Sequence, residues 1–203
     1  MQKLFLTSYF KEVVQKLPYF LNENLENKTV TFIPTASLME EINFYVDEAK
    51  EELIKLGLII DELDISNSST EEISRKLYKN DYIYISGGNT FFLLQELKRT
   101  GTDEIIKSLV EKGKPYIGES AGAIILSKNI EYVKDMDDYQ NTTLNDFRGL
   151  SLIDFYPLPH FGDFPFEDIT KNIIQEYKNK LTIVPFSNSE IIIVDNLEIK
   201  RIN

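Results

Sequence analysis

The residues best suited to chemistry lie in Gly118-Glu119-Ser120-Ala121-Gly122-Ala123. This run follows a short β-rich stretch and precedes an apolar helical one. A tight strand-to-helix turn pushes a side chain out at the end of a strand, and small neighbours let the backbone turn sharply. Ser120 is then a candidate nucleophile. The amide of Ala121, at a helix N-terminus, faces a developing oxyanion. The plain alternative is a βα turn capped by a serine. A serine hydroxyl needs a base to become nucleophilic. The chain has one histidine, His160, in Leu158-Pro159-His160-Phe161-Gly162, so it is the only imidazole candidate. A lone histidine is otherwise a structural or surface residue. A third group is required to orient the ring. Asp135, Asp137 and Asp138 are the candidates, and spacing does not choose among them.

Gly87-Gly88-Asn89-Thr90 is a second special turn. Paired glycines after a buried strand allow positive φ or close approach to a ligand, so Gly88 can give a second oxyanion amide. Asn89 is either a cap or a substrate contact. The loop lacks the lysine of a phosphate-binding P-loop and the spacing of a dinucleotide turn.

Positioning these groups takes a regular alternation of elements. Lys3–Thr7, Thr29–Pro34, Leu58–Leu63, Tyr82–Ser86 and Pro115–Gly118 read as strands. Helical patterns run over Phe10–Leu25 (broken at Pro18), Glu40–Leu56, Ser69–Tyr78, Phe91–Lys98 and Asp103–Glu111. In Glu40–Leu56, Ile42, Val46, Ala49, Leu53 and Leu56 form one apolar stripe. Leu152–Leu158 reads as extended, Phe166–Tyr177 as helical, and Leu181–Pro185, Ile191–Asp195 and Glu198–Ile202 as terminal strands. Strands alternating with helices predict an α/β fold with a mostly parallel sheet, helices on both faces and the site at the strands' C-terminal edge. No linker or repeat interrupts the chain, so one domain over 1–203 is expected.

Composition narrows the function classes. The chain has 203 residues, 42% hydrophobic and 27% charged, which is ordinary for a globular domain. Cysteine is absent, which excludes disulfides, a thiolate nucleophile and cysteine metal sites. A single imidazole excludes a multi-histidine zinc site. The net charge of −11 repels nucleic acid over most of the surface. Nothing approaches the roughly 20 apolar residues of a membrane span, and the N-terminus lacks the pattern of a secretory signal. A cytoplasmic protein with no nucleic-acid or membrane partner is expected, and these patterns do not encode its oligomeric state.

Taken together, four segments resemble the serine peptidase family of aspartyl dipeptidase (peptidase E) and cyanophycinase. These are Gly87-Gly88-Asn89-Thr90-Phe91, the segment Tyr116 to Ala123, Asp135-Met136, and Pro159-His160-Phe161. They occur in the family's order. The resemblance implies a flavodoxin-like three-layer sandwich related to class I glutamine amidotransferases, with serine replacing their cysteine. It implies Ser120 as nucleophile, His160 as base, Asp135 as the orienting acid, and the Gly88 and Ala121 amides as the oxyanion hole. It implies hydrolysis of a small peptide through an acyl-enzyme on Ser120, with no metal or organic cofactor.

The sequence departs from aspartyl dipeptidase twice. Glu119 stands where that enzyme has an aromatic residue. The segment after His160 is short and acidic (Gly162-Asp163-Phe164-Pro165-Phe166-Glu167-Asp168) and lacks the arginine that binds a substrate aspartate. Asn89, Glu119 and Asp163 are therefore the candidate substrate contacts, with acids suited to an ammonium group. An esterase or isopeptide amidase on the same framework is the nearest alternative, and a non-catalytic binding module is the next.

Overall fold

The computed structural model describes residues 2–196 and 198–203. Seven strands form one sheet in the order β3-β2-β4-β5-β1-β8-β9. These are β1 (Lys3–Thr7), β2 (Thr29–Ile33), β3 (Ile59–Glu62), β4 (Tyr82–Ile85), β5 (Tyr116–Glu119), β8 (Ile191–Asp195) and β9 (Glu198–Ile202). The first five pair in parallel; β8 and β9 add as an antiparallel edge. A separate parallel pair joins β6 (Tyr156–Leu158) to β7 (Ile183–Pro185).

The central strands are buried on both faces, and side chains alternate between them. Leu4, Leu6, Ile83 and Ile85 enter one apolar cluster. Phe5, Tyr82 and Tyr84 enter the other. The first cluster is completed by α4 (Thr70–Lys79), α5 (Thr90–Thr100) and α6 (Thr102–Glu111). The second is completed by α1 (Phe10–Val13), α2 (Leu17–Leu21) and α3 (Phe44–Lys55). Helix, sheet and helix make the three layers expected from the alternation. The short α7 (Ala121–Ile124) follows β5, and α8 (Glu167–Tyr177) packs with a third cluster beside the β6–β7 pair.

Local signals explain most boundaries. Ser69 caps α4 by accepting from Glu72 N–H (3.2 Å). Gly101 ends α5 in a left-handed conformation. Pro18 opens α2 rather than merely ending α1, because its missing N–H costs nothing in a first turn. Two expectations are corrected. The helix expected from Glu40 begins at Phe44, and Ile42 is exposed ahead of it instead of joining the stripe. Of the extended stretch from Leu152, only Tyr156–Leu158 pairs as a strand.

Candidate active site

Ser120 sits at the turn from β5 into α7 with φ 48° and ψ −106°. A non-glycine residue holds such a conformation only where its surroundings over-determine it. Here the constraints are specific. Ser120 N–H donates to the Thr7 carbonyl at 2.8 Å, and the Ser120 carbonyl accepts from Ala123 and Ile124. Gly122 lies so close to β4 that a Cβ would meet the Ile85 carbonyl oxygen at 2.3 Å. Tyr116 Oη donates to the Gly122 carbonyl at 2.6 Å. The two glycines flanking Ser120 are thus needed for close approach, since a Cβ on Gly118 would meet the Gly122 carbonyl at 2.6 Å.

Ser120 Oγ lies 2.9 Å from His160 Nε2. Both residues line a cavity of about 260 Å³ and come from different strand ends, β5 and β6. His160 follows β6, has φ 61°, and donates its backbone N–H to Ser8 Oγ at 3.0 Å. Ser8, just past β1, donates in turn to the Phe186 carbonyl (3.1 Å). The imidazole stacks on Phe166 at 4.8 Å between ring centres. Burial lowers its pKa below the usual value, against an opposing hydrogen bond to Asn188 Oδ1 and the charge of Asp163. Burial thus favours the neutral ring, the state a base requires.

The partner of the ring differs from the sequence expectation. His160 Nδ1 lies 2.8 Å from Asn188 Oδ1. With Nδ1 protonated and donating there, Nε2 is free to accept from Ser120. Asn188 is anchored by its own backbone N–H, which donates to Asp163 Oδ2 at 2.7 Å. Asp135, the acid implied by family resemblance, is exposed and lies outside the cavity lining among the described residues. The run from Asp135 to Asp138 follows the 3₁₀ turn at Glu131–Val133, and only Met136 and Asp137 of it line the cavity. Asp137 accepts from Thr90 N–H (2.9 Å) at the start of α5. Burial pushes its pKa up to about 6. Asp138 instead organises its own loop, accepting from Gln140 N–H at 2.8 Å.

The glycine turn faces Ser120 from β4. Gly88 lines the cavity, and its φ of 127° is one that side chains rarely adopt. A Cβ there would meet the backbone of Ala36 and Ser37 at 2.3–2.5 Å. Ala121 opens α7, so its N–H has no partner within the helix. The amides proposed for an oxyanion hole thus come from the turn after β4 and the turn after β5.

The three expected substrate contacts do other work. Asn89 caps α5, accepting from Phe92 N–H at 2.9 Å and donating to the Asp138 carbonyl at 2.7 Å. Its short amide is used up by backbone. Asp163 holds Asn188, as above. Glu119 borders the cavity, but its carboxylate is buried and engaged by protein donors. Phe10 N–H donates to Oε1 (2.8 Å) and Tyr84 Oη donates to Oε2 (2.7 Å). Burial pushes its pKa up to about 7.

Sequence reasoning passed over Asn188 and Ser8. Ser8 directly follows a strand whose neighbour ends at Glu119, so its place at the strand edge was the available signal. Asn188, in Ser187-Asn188-Ser189, gave none, because the turn after β7 meets His160 only through the β6–β7 pairing.

Comparison with known proteins identifies the family and the fold. The model of peptidase family S51 matches residues 3–202. The chain belongs to peptidase family S51. An uncharacterized peptidase of Listeria monocytogenes is 52% identical over 200 residues, covering 98% of this chain and 97% of the relative. The peptidase E of Haemophilus influenzae is 31% identical over 155 residues, 76% of this chain and 67% of that enzyme. A crystal structure of a Listeria monocytogenes protein provisionally assigned to peptidase E superposes with a TM-score of 0.95 at 50% identity. It covers 99% of this chain and 98% of that one. This S51 chain therefore shares the α/β fold of a peptidase E-type protein, and no helix among its described residues is long and apolar enough to cross a membrane.

Proposed function

We propose that this S51 peptidase is a serine hydrolase of small peptides acting through an acyl-enzyme on Ser120. One observation carries the reading: Ser120 Oγ and His160 Nε2 lie 2.9 Å apart in a cavity that Gly88 also lines. Ser120 attacks the scissile carbonyl carbon while His160 Nε2 takes the hydroxyl proton. The oxyanion is held by the Gly88 and Ala121 amides. His160 then gives its proton to the leaving amine, and the C–N bond breaks. Water, deprotonated by His160, releases the acyl group.

Two features bear on specificity. Glu40, Asp137 and Glu119 line the cavity, and none of the described lining residues is Lys or Arg. A substrate aspartate finds no cation to pair with there, so this reading does not include a preference for N-terminal Asp. Asn188 is neutral where a triad acid would be charged, so it stabilises the imidazolium less than a carboxylate does. That favours, as a second reading, esters or other activated acyl groups, whose leaving groups need less help.

Both readings are tested by hydrolysis of a dipeptide panel and an activated ester by the wild type, Ser120→Ala and His160→Ala. Loss of turnover by at least about 10³-fold in both folded variants is expected. Near-wild-type turnover in either would sink the proposal. The ratio of kcat/KM for ester and peptide decides between the two substrate classes.

A further inference from the structure

Glu119 presents an unusual arrangement for a residue beside a nucleophile. It is the last residue of β5, 2% exposed, and lies among Phe10 and Tyr84 of an apolar cluster. Burying a carboxylate there is costly unless the group is fully hydrogen-bonded. Both of its oxygens accept a hydrogen bond, and the donors come from two different elements. Phe10 N–H opens α1, just after β1, and Tyr84 Oη comes from β4, the strand that leads into the glycine turn.

We infer that Glu119 is a positioning residue for the oxyanion hole: its carboxylate ties the start of α1 and, through Tyr84, the strand that leads into the glycine turn to the strand that carries Ser120. This rests on the reading of Ser120 as a nucleophile. Gly87 is the residue whose carbonyl shares a peptide plane with the Gly88 N–H. Its carbonyl accepts from Ser86 Oγ at 3.0 Å, and Tyr84, on the strand that enters this turn, is held by Glu119. The peptide that carries the Gly88 N–H is therefore held at its carbonyl and by the strand before it. Gly87 also packs against Ser120, where an added Cβ would stand 3.3 Å from the serine Cβ. The Phe10 bond acts on the other wall. Two residues earlier, Ser8 Oγ accepts from His160 N–H. One carboxylate thus reaches the glycine turn through β4 and the histidine's anchor through the chain after β1. Its effect falls on the transition state, because a misplaced oxyanion donor costs rate more than ground-state binding.

The test follows phosphonylation of the full chain by an alkyl fluorophosphonate at pH 8, which needs no knowledge of the natural substrate. The rate is separated into kinact and KI, and mass spectrometry locates the label. Labelling of the wild type at Ser120, absent in Ser120→Ala, is the control on the nucleophile itself. If it fails, the reading of Ser120 falls and Glu119 loses its role with it. With the control met, Glu119→Leu is expected to lower kinact by about 10- to 100-fold and leave KI within about threefold. Glu119→Gln is expected to recover most of kinact, since it keeps an acceptor for Phe10 N–H and can donate to the Tyr84 hydroxyl. Kinact of Glu119→Leu within threefold of wild type, a loss confined to KI, or Glu119→Gln as slow as Glu119→Leu would each overturn the inference. If Glu119→Leu does not fold, Tyr84→Phe removes one donor in a conservative way. It should slow kinact severalfold at unchanged KI, and an unchanged kinact would overturn the inference equally.

Discussion

The two walls of the cavity are built in different ways. The Ser120 wall stands on β4 and β5, interior strands of the seven-stranded sheet, and its reactive turn is fixed by backbone. Glycines pressed against Ile85 and Ala36 leave no slack, and Thr7 and Tyr116 hold the turn by hydrogen bonds. The His160 wall stands on the separate β6–β7 pair and is fixed by side chains: Ser8 on the backbone N–H, Asn188 on Nδ1, Phe166 on the ring face. In the proposed mechanism the first wall sets where an acyl carbon and its oxyanion sit. The second sets protonation. The backbone wall should therefore fail abruptly when mutated, and the side-chain wall should be tunable.

The largest effect that can break this comparison is at Gly88. Gly88→Ala must place a Cβ against backbone at 2.3–2.5 Å with φ 127°. Thermal melting should show destabilisation of about 2–4 kcal/mol. Turnover of the folded fraction should drop by about 10²–10³-fold through the displaced amide. A variant of wild-type stability and rate would show that the turn has room to yield.

On the other wall, Asn188→Asp puts a carboxylate against Nδ1. It is expected to raise kcat/KM by about tenfold and to shift its acidic limb to higher pH, because the charge raises the His160 pKa from its lowered value. The like charge of Asp163 close by limits the gain. Asn188→Ala should instead lower kcat/KM by about tenfold. A pH–rate profile of the three proteins checks this, and identical profiles would remove Asn188 from the mechanism.

A smaller effect concerns stability. The Glu119 pKa rises from its ordinary value of 4.5 to about 7 on folding, through burial first and the Glu48 charge last. Its neutral form is favoured in the folded state, so its contribution is present below about 4.5 and is lost as pH rises to about 7. Glu119→Gln should flatten the dependence of Tm on pH across that window. Asp137, raised by burial to about 6, contributes with the same sign and remains in the variant. An unchanged slope would mean that Glu119 is already ionised at pH 5. The smallest effect is at Asp135. Exposed and outside the cavity lining, it should tolerate Asp135→Asn with kcat/KM within twofold, and a tenfold loss would restore it as a candidate acid.

How far the sequence carried the reading depends on whether a signal was local. The parallel sheet, its helices and the strand-to-helix turn at Ser120 are written in short-range patterns of hydrophobic alternation and glycine spacing. Lys3–Thr7, Ile191–Asp195 and Glu198–Ile202 form as read. Ile42 did not join its stripe, because periodicity alone does not mark where a helix starts when its N-cap residue makes no capping bond. The orienting group was illegible for another reason. Any of several polar residues can reach an imidazole, and the choice of Asn188 depends on the pairing of β6 with β7, residues 25 or more apart in the chain.

By itself, the sequence determined the order of elements and two glycine turns at strand ends. It also determined one serine at a strand-to-helix turn and the chain's one histidine in family order, since these follow from residue type and near-neighbour spacing. The tertiary structure alone decided that Ser120 and His160 meet, that Asn188 rather than Asp135 faces Nδ1, and that Glu119 turns inward to protein donors rather than to substrate. Those outcomes depend on which strand edges lie side by side. Spacing along the chain does not encode a contact made across a cavity.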